Sequence, residues 1–147
     1  MKTGKEIKSN KFKNYNVVFG SVNNKHPKAV YIDISAWAQP ININEVGYNR
    51  IIKNLNKKVK QTLFDLLDND DNYKYLSNRS IVDMDIRESG VKFGKRSFIS
   101  CELTIYLNSE IQMNSEHMMN KLNEVTKHII LNVFETNKDF SFHKRKK

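Results

Sequence analysis

Apolar and polar residues alternate with a period of two in two clear stretches of this chain and recur every three or four positions in two others. In 29–37, Val30, Ile32, Ile34 and Ala36 fall on one side and Tyr31, Asp33, Ser35 and Trp37 on the other, which predicts a half-buried β-strand. A β-rich run at 14–20 precedes it across the polar, turn-prone 23–28, so the pair predicts a hairpin that Pro40 ends. From 44 to 67 the spacing lengthens. Tyr48, Ile52, Leu55, Val59, Leu63 and Leu66 mark one face of an amphipathic helix, with Asn44 as its N-cap.

The same succession then recurs. In 80–87, Val82, Met84 and Ile86 alternate with Ile81, Asp83, Asp85 and Arg87. In 96–107, Ile99, Cys101, Leu103, Ile105 and Leu107 alternate with Phe98, Ser100, Glu102, Thr104 and Tyr106. Between these two strands, 88–95 contains two glycines and reads as a hairpin tip. A capping-box pair, Ser109 and Gln112, then starts a second helix that runs to about Thr136, with Met118, Leu122, Val125, Ile129 and Val133 on its core face. The halves repeat in pattern, without residue-level identity.

The expected fold is therefore α+β, in the order ββαββα: a single four-stranded antiparallel sheet with both helices on its apolar face. The opposite face would be exposed or covered by a partner. Residues 14–142 form the expected single domain, 1–13 a flexible basic arm and 143–147 a basic tail.

Charge changes this picture most. The chain of 147 residues carries a net +9, and the surplus gathers at its ends: seven lysines against Glu6 give +6 over 1–28, and the last four residues add +4. The body, 29–143, is left at −1. Lysine outnumbers arginine 20 to 5, a bias that an AT-rich coding sequence produces by itself, but codon usage does not explain the clustering at the ends. Basic arms on a globular body suit a polyanion, because each cation near a phosphate releases condensed counterions.

Other classes are less well supported. The longest apolar runs are short, so no membrane association is expected, and the N-terminal segment lacks the apolar stretch of a secretory signal. The lone cysteine, Cys101, excludes an internal disulfide, fits a reducing compartment and reads as a small core residue. His26, His117, His128 and His143 share no ligand spacing, and there is no phosphate-binding glycine loop, so neither a cofactor nor a metal is expected.

Four groups of residues are candidates for contact with nucleic acid. Arg50, Lys53, Lys57 and Lys60 form a basic stripe on the first helix, oriented against the helix dipole, since Asp65, Asp68, Asp70 and Asp71 crowd its C-terminal end. Lys92, Phe93, Lys95 and Arg96 form a basic hairpin tip with one aromatic ring, and Lys144 and Arg145 belong to the tail. Tyr31, Trp37, Phe98 and Tyr106 fall on the polar sheet face, where they could stack bases or be buried in a homo-oligomer. Asp33, Asp83, Asp85 and Glu102 share that face; they would repel phosphate, or hold a divalent ion if they converged.

The leading expectation is a non-catalytic nucleic-acid-binding protein, for DNA or RNA, led by backbone contacts and weakly sequence-specific, because arginine, the better base reader, is scarce. The alternative is a structural or interaction protein, a phage virion component or an inhibitor of a host factor, that uses the sheet face as an interface. A metal-dependent nuclease is third. The Lys- and Asn-heavy style is similar to that of small proteins of tailed bacteriophages, which implies a cytoplasmic setting, that of the host cell for a viral chain.

Overall fold

The computed structural model describes residues 6–9, 11–21, 29–40, 48–69, 76–88, 97–107, 116–138 and 140–141. In chain order the elements are β1 (Glu6–Ser9), β2 (Asn16–Ser21), β3 (Ala29–Pro40), α1 (Tyr48–Asn69), β4 (Leu76–Glu88), β5 (Ser97–Leu107), α2 (Glu116–Ile129), a π-helical turn (Ile130–Phe134) and β6 (Phe140–Ser141). The fold is α+β.

The two expected hairpins, β2–β3 and β4–β5, join side by side through β3 and β5, and every pairing is antiparallel. The sheet order is β1-β2-β3-β5-β4, with β6 pairing the far end of β3. Ile32 lies opposite Phe19 on one side and Leu103 on the other; Ile34 lies opposite Val17 and Cys101. Residues paired directly across a sheet share a face, so each pairing extends one apolar surface from strand to strand. Val82, Met84 and Ile86 of β4 continue those rows opposite Leu103, Cys101 and Ile99.

Both helices cover that surface, α1 over β4 and α2 over β3. Ile51, Leu55, Val59 and Leu63 of α1 join Met118, Leu122, Val125 and Ile129 of α2 in one buried cluster with the sheet residues. The periodicity placed Ile52 in the core; the helix instead turns Ile51 fully inward and leaves Ile52 partly buried at the edge of the cluster. On a helix these two positions are about 100° apart, so a small rotation exchanges their roles.

Two short strands add to the four expected. Residues 6–9 lie within the segment read as a flexible basic arm, yet they pair with the outer edge of β2, with Ile7 opposite Phe19. An unpaired β2 edge would expose a row of backbone groups, and a short strand bearing an outward Lys8 covers it. At the other end, β6 seats Phe140 in the core, and Pro40 pairs with it rather than merely ending β3. The Asn44 cap, the Ser109–Gln112 capping box, the tip from 89 onward and the tail 143–147 lie outside the described residues.

Beyond Ile129 the helix widens by one residue per turn. The Glu135 amide donates to the Ile130 carbonyl at 2.8 Å, the i to i+5 bond of a π-helix. The Asn132 side-chain amide donates to the His128 carbonyl at 2.8 Å, which supplies an acceptor displaced from the α-helical ladder. The wider turn buries Ile130, Val133 and Phe134 together.

On the polar sheet face Gly20 lies opposite Tyr31, and the buried Tyr31 ring lies across it. An aromatic ring spread over a strand glycine protects the bare backbone there. A Cβ at position 20 would fall within the ring's van der Waals envelope. Gly20→Ala is therefore expected to destabilise the protein by ~1–3 kcal/mol, the usual cost of overpacking. Urea unfolding checks this: the midpoint should fall while the slope is unchanged.

Candidate functional site

The basic stripe of α1 is held outward by its core face. With Ile51, Leu55, Val59 and Leu63 turned into the cluster, Arg50, Lys53, Lys57 and Lys60 all fall on the opposite side of the helix, and all four are exposed. Lys58 is exposed as well. From Arg50 to Lys60 the stripe spans roughly 15 Å at the helical rise of 1.5 Å per residue. The first turn of α1 holds no acid and its last turn no base, so the charges oppose the helix dipole. Among the described residues none of the four cations takes part in an ion pair.

The polar face of the sheet has the opposite character. Asp33, Glu102 and Asp83 are direct neighbours across β3, β5 and β4, in one transverse row. Asp85 falls in the next row of that face, opposite Ser100 and Ser35. The hairpins therefore meet in the register that brings the acidic positions together, on strands ~4.8 Å apart. No group of three metal-binding side chains occurs among the described residues, which do not include the Asp83 and Asp85 side chains.

The four aromatic candidates of this face part company. Trp37 is 44% exposed and meets Phe98 edge-on, with centroids 5.2 Å apart and planes at 61°. Phe98 and Tyr106 are partly buried. Tyr31 is buried against Gly20 and offers no stacking surface. Lys92, Phe93, Lys95, Arg96, Lys144 and Arg145 lie outside the described residues.

A groove of about 680 Å³, absent from the sequence reading, opens between the β1–β2 connection and the C-terminal half of the helix α2 with its π-turn. Phe12, Ile130 and Leu131 line it with apolar surface; Lys11, Lys13 and Lys127 stand around it. The connection turns tightly, with the Tyr15 amide donating to the Phe12 carbonyl at 3.2 Å and Asn14 at a φ of 74°. Asparagine is among the few side chains that tolerate this left-handed region.

Side chains tie the two walls together. The Ser9 hydroxyl donates to Asn123 Oδ1 at 3.1 Å. The Tyr15 ring packs on Phe134 with centroids 5.9 Å apart, and its hydroxyl donates to Glu135 Oε2. Ser9 and Asn123 are 114 positions apart in the chain, and Tyr15 and Glu135 are 120 apart. Local spacing holds no signal for contacts of that separation.

No known protein family, curated protein or solved structure matches this chain.

Burial, followed by the hydrogen bond to Glu135 and its negative charge, holds the Tyr15 hydroxyl well above the ordinary tyrosine value of 10.0. A phenol that keeps its proton more tightly in the folded state lends stability that is complete below that ordinary value and is lost as pH climbs above it. Tyr15→Phe is therefore expected to reduce the loss of stability above about pH 10. Denaturant midpoints of the two proteins measured from pH 8 to 11 check this, since the curves should converge at the alkaline end.

Proposed function

We propose that this chain is a non-catalytic nucleic-acid-binding protein that holds phosphate backbones through the outer face of α1, with little preference for sequence. The observation that carries the reading is the stripe Arg50, Lys53, Lys57 and Lys60, exposed along one side of a helix whose opposite side is locked into the core. Helical stability would favour the reverse arrangement of charge, so the stripe calls for another explanation, and contact with a polyanion supplies one.

The acidic row on the sheet gives the reading a direction. Asp33, Glu102 and Asp83 would repel phosphates from that face, which leaves the helix layer as the approach. The cationic residues of the tip and tail, Lys92, Lys95, Arg96, Lys144 and Arg145, would add further backbone contacts, and Phe93 a stacking surface. The setting proposed is the cytoplasm, that of a host cell for a phage protein; the buried free thiol of Cys101 suits a reducing compartment.

One observation favours a second reading. Trp37, exposed beside Phe98, gives the polar sheet face an aromatic patch of the kind that anchors protein interfaces, as expected of a structural or interaction protein or of a homo-oligomer.

Titration of a fluorescent oligonucleotide over a range of salt concentrations tests the first reading. Lys53→Glu with Lys57→Glu should weaken binding about tenfold or more at low salt, as expected for losing charge-assisted contacts. The slope of log K against log[salt] should shrink by about 1.5 units, two phosphates' worth. Both positions are exposed, so circular dichroism should show an intact fold. Wild-type affinity in that folded variant would remove α1 from the interface.

A further inference from the structure

The groove beside the π-turn has the attributes of a small-molecule site. Its volume of about 680 Å³ lies within the roughly 300–1,000 Å³ typical of ligand pockets. Its walls are tied by Ser9–Asn123 and by Tyr15 against Phe134 and Glu135, so it is formed before any ligand arrives. Leu131, 51% exposed, lies on it and gains nothing from folding in that position. The π-turn is what presents Ile130 and Leu131 here, and such turns recur at functional sites.

The charge around the groove is one-sided. Its two acids are engaged: Glu124 pairs with Lys121 at 3.5 Å, and Glu135 accepts the Tyr15 hydroxyl. Lys11, Lys13 and Lys127 are exposed on opposite walls, and none takes part in an ion pair among the described residues. Apolar surface bounded by uncompensated cations complements a ligand that is apolar in body and negative at one end.

We infer that this groove binds an amphipathic organic anion, a flat apolar body against Phe12 and Leu131 with a single carboxylate, sulfonate or phosphate held by Lys11, Lys13 and Lys127. This binding is independent of the helix stripe and of any nucleic acid. The probe is anilinonaphthalene sulfonate, an aromatic body with one sulfonate, added to the full folded chain and followed by its fluorescence. Phenylnaphthylamine, the same aromatic frame without the sulfonate, is the uncharged comparison. Saturable binding at one site is expected, with the uncharged frame about tenfold weaker or more, as for loss of a charged hydrogen-bonded contact. Lys13→Gln with Lys127→Gln should weaken the sulfonate by a similar factor and leave the uncharged frame unchanged, and Leu131→Ala should weaken both. Lys60→Gln, on the α1 stripe, should alter neither. Absence of saturable binding, equal affinity for the two probes, or indifference to the lysine pair would each overturn the inference.

Discussion

The pairing of β3 with β5 is the constraint on which the rest of this structure depends. It joins two hairpins that are each too small to bury a face alone, along an antiparallel register that runs from Ala29 opposite Tyr106 to Ala38 opposite Ser97. The side-chain period of a strand is two, so a slip of one residue would turn Val30, Ile32 and Ile34 away from the helices while Ile99, Cys101 and Leu103 stayed in place. The same register aligns the acids on the other face. Apolar continuity beneath the helices and the row of Asp33, Glu102 and Asp83 are two results of one pairing, and like charges set directly opposite disfavour it locally. Burial of the core face outweighs that local cost.

Much of the fold was legible because its signals are local. Alternation in 29–37 and 96–107 marked residues that prove buried: Val30, Ile32, Ile34 and Ala36 on β3, and Ile99, Cys101, Leu103 and Ile105 on β5. The spacing of Met118, Leu122, Val125, Ile129 and Val133 identified the inner face of the second helix. Less legible were elements whose stability comes from their neighbours. β1 has one apolar residue, Ile7, and forms because β2 offers it an edge; β6 spans two residues and is held by Phe140 in the core. Neither carries enough pattern of its own to predict a strand.

The candidate surfaces divide along the same line. The α1 stripe was legible because four cations at helical spacing must share a face, whatever the helix packs on. Placement of the aromatics needed the third dimension: alternation put Tyr31 and Trp37 on one side of β3, yet Gly20 receives the Tyr31 ring and leaves Trp37 open. The groove was not legible at all, since each wall comes from a different end of the chain. A two-layer molecule results, with cations along its helices and acids across the back of its sheet.

The π-helical turn fixes the length of the chain as well as its path. Removing any one residue from Ile130–Phe134 would let the turn relax to an ordinary α-helix, and everything that follows would rotate by about 100°. Asn137, which accepts the Phe140 amide at 2.8 Å, would then aim the chain away from β3, and Phe140 would leave its seat opposite Pro40. Substitutions along this stretch can be absorbed by repacking, but a deletion cannot. The segment therefore behaves as a spacer of fixed length, and natural variation within it is confined to changes of residue rather than of residue number.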